Sequence, residues 1–574
     1  MPTVDVTING REVTVESGTT VLDAARAAGF QIPTLCHLSG LSPTGACRVC
    51  VVEVEGARTL VPSCAFPVAN GMVVRTHTSR VRAARTAIVQ LLLANHPQEC
   101  LTCVRNGDCE LQTLTRELNI REIPYQGERR LAPVDSSSPS IERDPEKCIL
   151  CGRCVRVCSE IQNVGAISFT RRGFQSEVAP AYERQLDITS CVNCGQCILR
   201  CPTGALREHS SVRKVWEWLN DPKMHVVAQT APAVRVGIGE MFGAAPGGIY
   251  TGQLSAALAH LGFDKVFDTN FAADLTIVEE ATELVHRVSN KGALPMITSC
   301  SPGWVKYCEH FYPDLLAHLS TCRSPHEMLG ALIKSYYSEQ YGVPPENIAV
   351  VSVMPCTAKK FEAERPELET SGMPSVDAVL TVREIARMIK VAGLDFLNLP
   401  PRDFDTPLGI STGAADIFAS TGGVMEAALR TAAFYISGKE IANVDFRDVR
   451  GLRGIKDATI TIGEMEVKVA VASGLANAKA LMEQIRKGES PYAFIEIMGC
   501  PSGCINGGGM PQGSDMEIIR ARMRAIYNID QNKVHRRSHQ NPAIRKLYEE
   551  YLGEPGGERA HHLLHTTYMP RERS

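Results

Sequence analysis

The chain has 574 residues, 44% hydrophobic and 21% charged, which is ordinary for a globular protein and too long for a single core. A formal charge of -3 offers no basic surface for nucleic acid or anionic lipid. There is no run of about 18 apolar residues to span a membrane, and the start MPTVDVTINGREVTVESG alternates like a strand where a signal peptide needs a basic and then an apolar stretch. A cytoplasmic location is expected, and there closely spaced cysteines serve metals or clusters more often than disulfides.

Residues 1–80 read as a small mixed domain, with strand-like alternation in Val4–Ile8 and Arg48–Glu55 and a helical stretch at Thr20–Ala28. Cys36, Cys47, Cys50 and Cys64 form a tight pair flanked by two distant cysteines, which suits two irons bridged by two sulfides. The amphipathic helix Ser79–Ala94 then leads into His96, Cys100, Cys103 and Cys109, in a module spanning 81–131. A histidine just ahead of three cysteines can be a fourth ligand, and neutral imidazole in place of thiolate changes a cluster's charge and potential. Zinc is the competing occupant for both sets.

The Pro/Ser-rich run 132–141 reads as a linker. Residues 141–209 then carry Cys148, Cys151, Cys154 and Cys158, followed by Cys191, Cys194, Cys197 and Cys201 at the same spacing. In such paired runs the fourth cysteine serves the other cluster, so Cys148, Cys151, Cys154 and Cys201 form one set and Cys191, Cys194, Cys197 and Cys158 the other. Ser159 stands where a proline is usual. Four clusters exceed what small folds need as staples, so the multiplicity argues for electron relay.

From about residue 210 the pattern becomes α/β, with strand-like runs Val226–Gln229, Ala349–Pro355, Ala470–Ala472 and Ala493–Met498. Helical patterns cover Gly252–Leu261, Leu275–Val288, Pro325–Glu339 and Thr381–Val391. Cys300, Cys356, Cys500 and Cys504 fall at strand ends or turns, where α/β proteins build active sites. Cys308 and Cys322 read as small core residues.

The segments Ile297-Thr-Ser-Cys-Ser-Pro-Gly-Trp304, Val353-Met-Pro-Cys-Thr-Ala-Lys-Lys-Phe-Glu362 and Met498-Gly-Cys-Pro-Ser-Gly-Cys504, with the glycines 507–509, closely resemble the three signature segments of the [FeFe]-hydrogenases. The resemblance runs from residue 1 to near the C-terminus, and the first two cysteine sets resemble modules of respiratory and hydrogenase electron-transfer subunits. It implies a [2Fe-2S] ferredoxin-like domain, a His/Cys3 module, a two-[4Fe-4S] domain and a catalytic α/β domain over 210–574. The implied reaction interconverts hydrogen with protons and electrons at a compound H-cluster. That cofactor is a [4Fe-4S] cubane joined through a cysteine sulfur to a di-iron unit with carbon monoxide, cyanide and a bridging amine dithiolate.

Carried over by position, Cys356, Cys500 and Cys504 hold the cubane, and Cys504 bridges to the di-iron unit. Lys359 donates to a cyanide ligand, while Pro232, Ser299, Met354, Phe418 and Met498 wall the cofactor. Protons pass through Cys300, Glu280, Ser320 and Glu283, with Arg287 near the exit. Glu280, Glu283 and Arg287 share one helical face, which spacing alone would read as a solvated ion-pair stripe.

Two positions depart from the family pattern. Where two adjacent cysteines are usual, this chain has Cys300 and Ser301. Register gives Cys300 the proton role and Ser301 the ligand position, while thiolate chemistry favours Cys300 as the ligand. His326 stands where a glutamine is expected near the di-iron site, and its imidazole can also donate a hydrogen bond.

No dinucleotide fingerprint or flavin site is evident, so ferredoxin or a flavin/NAD(P) partner subunit is expected to carry electrons, and maturases to supply the di-iron unit. The serine variant resembles that of pyridine-nucleotide-linked multimeric hydrogenases. A hydrogen or redox sensor of the same fold, or a non-enzymatic electron-transfer subunit, is the alternative. The tail Ile526–Met569, with Arg559-Ala-His-His-Leu-Leu-His565, resembles the family's wrapping segment and is expected to pack without catalysis.

Overall fold

A computed structural model describes residues 2–126, 128–440, 444–462, 465–513 and 515–572. It opens on a five-stranded sheet with the spatial order Arg11–Glu16, Thr3–Ile8, Met72–Arg75, Val51–Val54, Val61–Pro62. Val6 and Ile8 alternate onto a core shared with Val21, Leu22 and Ala25 of the helix Val21–Ala27. The strand expected over Arg48–Glu55 is shorter, because Arg48 adopts a φ of 60° in the loop that carries Cys47 and Cys50. The helix Ser79–Ala94 has its expected bounds, with the Thr78 hydroxyl accepting from the Val81 N–H and Val81, Arg85 and Val89 buried.

The two four-cysteine runs fold as matching halves. Ile141–Arg143 pairs antiparallel with Leu206–Glu208, and Ser168–Thr170 with Glu177–Ala179. The short helices Arg153–Arg156 and Gln196–Arg200 each follow a glycine in the left-handed region, Gly152 at 68° and Gly195 at 67°. Ile141 already pairs with Glu208, and Asp135 bridges to Arg143, so the expected linker is partly drawn into this unit.

Beyond it stand two four-stranded sheets. One is wholly parallel, in the order Lys265–Asp268, His225–Thr230, Ile348–Met354, Ala378–Thr381. The other runs Met296–Ile297, Phe494–Met498, Met465–Ser473, Ile455–Ile462, with only the last pair antiparallel. Ile348–Met354 and Phe494–Met498 are buried throughout, as strands covered on both faces must be.

The helix expected from Leu275 starts earlier, at Thr269, because Asp268 ends one strand and caps the helix directly. It runs to Ser289 and packs on Pro325–Leu332 and Gly423–Ser437. The pattern over Pro325–Glu339 is interrupted by a π-helical turn at Ile333–Tyr337. The tail is stitched to the catalytic unit: Arg323 N–H donates to Leu564 O (2.7 Å), Thr566 N–H to Thr321 O (2.8 Å), and Arg571 Nε to Glu309 Oε2 (2.6 Å). No described helix is long and apolar enough to cross a membrane.

Candidate active site and electron relay

Four strands aim their C-terminal ends at one cavity, the usual place for a site in such sheets. Pro232 follows His225–Thr230, Cys300 and Ser301 follow Met296–Ile297, Cys356 follows Ile348–Met354, and Cys500 follows Phe494–Met498. The cavity, with its opening to solvent included, spans about 760 Å³, and Cys504, Lys359, His326, Met354, Phe418 and Met498 complete most of its wall. Of the expected cofactor contacts only Ser299 lies off this wall. Its hydroxyl is drawn the other way, donating to the carbonyl of Cys322 at 2.8 Å.

The residues fit a buried iron–sulfur group. A β-carbon at Gly507 would lie 2.2 Å from Pro355 O, and one at Gly503, where φ is 88°, 2.7 Å from Thr421 N, so neither turn admits a side chain. Burial pushes the Cys500 and Cys504 thiols up to about 12 and raises Cys356 as well, so their thiolates need a cationic partner in the cavity. Lys359 Nζ donates to Glu362 Oε2 (2.6 Å) and Cys300 O (3.3 Å).

Cys300 and Ser301 have different surroundings. The Ser301 hydroxyl accepts from the Gly499 N–H at 3.1 Å, beside Cys500. Burial raises the Cys300 thiol well above its ordinary value, with Glu280 and Cys504 adding to the rise. Both nitrogens of His326 are engaged by the protein: Nδ1 meets Ser352 Oγ (3.2 Å) and Nε2 meets Glu362 Oε2 (2.6 Å). Burial alone would raise Glu362, but Lys359 and His326 hold it down to about 2. The neighbouring Glu327 is buried with no hydrogen bond to either carboxylate oxygen, 3.1 Å from His326 Nε2.

The accessory cysteines gather in the expected sets. Cys158, Cys191, Cys194 and Cys197 line one cavity, and Cys148, Cys151, Cys154 and Cys201 another. His96, Cys100, Cys103 and Cys109 line a third of about 1260 Å³. His96 Nδ1 is buried without a partner, and burial lowers its pKa to about 4, which leaves a neutral imidazole able to bind metal. In the first domain Cys50 Sγ and Cys64 Sγ are 3.4 Å apart, with Cys36 and Cys47 hydrogen-bonded to each other beside them. None of the 21 cysteines is paired in a disulfide.

These sets adjoin one another. Arg156 donates to the carbonyls of Cys36 (2.5 Å), Cys151 (3.5 Å) and Ser42. Cys109 Sγ approaches Pro202 O at 3.6 Å. Gln196 Nε2 donates to Asn506 O at 2.8 Å, joining the Cys191–Cys201 run to the catalytic cavity.

Comparison with known proteins matches residues 224–508 to the iron only hydrogenase large subunit, C-terminal domain, and 516–571 to the iron hydrogenase small subunit. Residues 2–79 match a 2Fe-2S iron-sulfur cluster binding domain, 85–124 the NADH-ubiquinone oxidoreductase-G iron-sulfur binding region, and 147–205 a 4Fe-4S dicluster domain. The chain is 50% identical to the NADP-reducing hydrogenase subunit HndD of Solidesulfovibrio fructosivorans over 100% of both chains. It is 41% identical to iron hydrogenase 1 of Clostridium pasteurianum, over 98% of this chain and 99% of that one. The chain belongs to the [FeFe]-hydrogenase family. A solved [FeFe]-hydrogenase, a variant of HydA1 from Chlamydomonas reinhardtii, superposes with a TM-score of 0.58 at 42% identity, covering 63% of this chain and 100% of that one. This hydrogenase interconverts molecular hydrogen with protons and electrons and relays the electrons through iron–sulfur centres.

Among the residues expected to pass protons, Glu280 is fully buried and its Oε2 has no hydrogen-bond partner. Burial, reinforced by the Glu283 charge, pushes Glu280 up to about 8, while the Ser320 hydroxyl pulls the other way. Ser320 Oγ donates to Glu283 Oε2 (2.8 Å), and Arg287 clamps Glu283 Oε1 through NH2 (2.6 Å) and Nε (3.1 Å). Sequence reasoning missed Glu362, Glu327 and His565, all polar groups enclosed by distant segments. Two of them carried a usable signal, Glu362 as the last residue of a signature segment and His565 as the third histidine of a motif.

Proposed function

We propose that this hydrogenase carries one [2Fe-2S] cluster, three accessory [4Fe-4S] clusters and an H-cluster, in domains divided near residues 80, 131–141 and 209. The observation that carries the reading is that Cys300, Cys356, Cys500, Cys504 and Lys359 share one largely apolar cavity beside the Cys191–Cys201 run. Cys356, Cys500 and Cys504 would hold the cubane, with Ser301 at the fourth position, and the cofactor when bound supplies the iron site at which hydrogen is split or formed. The sixteen ligands of the relay are the four sets described above.

The chain's own residues position and move protons. Lys359 presents its ammonium to the cavity while Glu362 fixes its direction. Cys300 Sγ exchanges a proton with Glu280 Oε2, and Glu280 with Glu283 across the Ser320 hydroxyl. The apolar wall of Pro232, Met354, Phe418 and Met498 keeps water out and strengthens each remaining polar contact. The Glu280 and Cys504 neighbours of Cys300, and the backbone bond of Ser301 to Gly499, support Cys300 as proton donor over Cys300 as ligand.

Similarity to an NADP-reducing hydrogenase subunit supports a flavin and NAD(P)-binding partner subunit as the electron acceptor, in the cytoplasm. The test is hydrogen uptake by fully matured protein, first with viologen and then with NADP plus candidate partner subunits. Sustained viologen reduction is expected; no turnover in protein with intact infrared carbon monoxide and cyanide bands would sink the reading.

A further inference from the structure

The helix Pro302–Phe311 begins immediately after Ser301 and carries Lys306 to the boundary between the catalytic unit and the Cys191–Cys201 run. Lys306 is 5% exposed, and its Nζ donates to Asn193 Oδ1 at 2.8 Å. Asn193 stands between Cys191 and Cys194 with a φ of 60°, and its amide is fixed from the other side, where Nδ2 donates to Ser138 Oγ at 3.1 Å. Its carbonyl accepts from the hydroxyl of Thr357, the neighbour of Cys356, at 2.7 Å. One asparagine thus ties both a buried ammonium and the Cys356 turn to the same cysteine loop.

This ammonium lacks the acidic partner that a buried charge needs. Among the described residues its hydrogen-bond partner is an amide and not a carboxylate. Glu309, one helical turn on, is already taken by Arg365 NH2 (2.6 Å) and NH1 (3.2 Å) and by Arg571 Nε (2.6 Å). The face of Phe361, its centroid 4.1 Å from Lys306 Nζ, supplies part of the compensation. Burial lowers the Lys306 pKa to about 8, and of the groups that oppose burial Cys191 acts most strongly. The negative charge that balances Lys306 therefore lies at the cysteine set it faces.

We propose that Lys306 sets the reduction potential of the cluster held by Cys158, Cys191, Cys194 and Cys197, making that centre easier to reduce. The proposal rests on the cluster reading above. Reduction adds one electron to a centre whose four thiolates already make it anionic. That electron comes from the neighbouring centre, the Lys306 ammonium keeps its protons, and no bond forms or breaks. A fixed positive charge in a low-dielectric boundary stabilises the more negative, reduced state more than the oxidised one. The centre beside the catalytic cavity then accepts electrons from it more readily, which draws them outward when hydrogen is oxidised. Lys306 touches neither hydrogen nor the reacting iron, so it is a positioning residue and not a catalytic one.

The test is redox titration, followed by electron paramagnetic resonance, of the full-length chain made without maturases, so that the relay centres are read without the di-iron unit. Lys306→Gln keeps an N–H donor for Asn193 but removes the charge, and Lys306→Arg keeps both. Lys306→Gln should make one cubane on the order of tenfold harder to reduce at a given potential, a downward shift of about 59 mV for a one-electron couple. The other accessory signals should stay in place, and Lys306→Arg should titrate like the native chain. No shift in Lys306→Gln, an equal shift in Lys306→Arg, or a shift shared by every centre overturns the proposal. Where Lys306→Gln fails to hold that cubane, its retention in Lys306→Arg supports the role of the charge, and its loss in both overturns it. Iron content and signals of the native chain that fall short of the proposed centres sink the cluster reading itself, whereas a full native set that Lys306→Gln leaves unmoved fails only the Lys306 assignment.

Discussion

Gly508 presses against Cys194 so closely that a β-carbon on it would lie 2.3 Å from the Cys194 carbonyl oxygen. That contact puts the loop after Cys504 directly on the loop of Cys194, proposed to hold the last relay cluster. Gly508→Ala should force the two apart at a cost of about 1–3 kcal/mol. Stopped-flow reduction of the accessory clusters by hydrogen should slow, while the infrared bands of the cofactor persist; unchanged reduction would show that the contact has no role in electron transfer.

Glu280 should trade stability for proton transfer. Its pKa is raised by burial to about 8 in the folded chain against 4.5 for an ordinary glutamate. The folded state therefore binds the proton more tightly. Its contribution to stability is full below about 4.5, declines as the unfolded chain ionises, and is lost once pH passes about 8. Glu280→Gln, which cannot ionise, should be more stable than the native chain at pH above 8 by a margin on the order of a few kcal/mol and unfold at higher temperature, with little difference near pH 4. Turnover should fall by about 10²-fold or more, and calorimetry beside viologen assays checks both parts.

The Cys300 and Ser301 pair yields a clean division. If Cys300 relays protons, Cys300→Ala retains the carbon monoxide and cyanide bands and loses turnover by about 10²-fold or more. Ser301→Cys, which places a thiol where Gly499 N–H now holds a hydroxyl, should retain both bands and turnover. Loss of the assembled cluster in Cys300→Ala would instead make that sulfur a ligand.

His96→Cys should keep the cluster proposed for the His96, Cys100, Cys103 and Cys109 set but make it more negative by one charge, lowering its midpoint potential. Redox titration followed by electron paramagnetic resonance measures the shift. A potential that does not move would mean that His96 is not bound to the cluster.

Acid should act on Glu362, whose pKa Lys359 and His326 hold at about 2 against the effect of burial. A depressed carboxyl adds stability above the ordinary value of about 4.5 that is lost as pH falls toward 2. His326→Gln leaves the Lys359 bond but removes the imidazole that helps hold the carboxyl down, so acid unfolding should begin at higher pH than in the native chain. Circular dichroism during acid titration follows the change.

Cysteine spacing made the relay legible, because ligands of one cluster stay close in sequence and the crossed fourth cysteine follows a rule. The cavity was legible through three signature segments that each end a strand. What escaped depends on long-range closure. Glu362 and Glu327 are ordinary acids on helices until folding buries them around His326. The strand Ile455–Ile462 carries alternating polar residues on an outer, antiparallel edge, so it lacks the continuous apolar run of its parallel neighbours. His565 belongs to a segment whose role depends on where it lands, beside Thr321 and Glu279.

Arg156 has a consequence for counting electrons. It ties the Cys36 loop to the Cys151 loop, while Cys109 reaches Pro202 next to Cys201, so two peripheral sets adjoin the same cubane set. Hydrogen releases electrons in pairs, and each proposed centre holds one at a time. With the proposed centres in place, a forked wire of this kind would let the first electron wait on one arm while the second leaves by the other, so the stem would clear before the next molecule of hydrogen arrives.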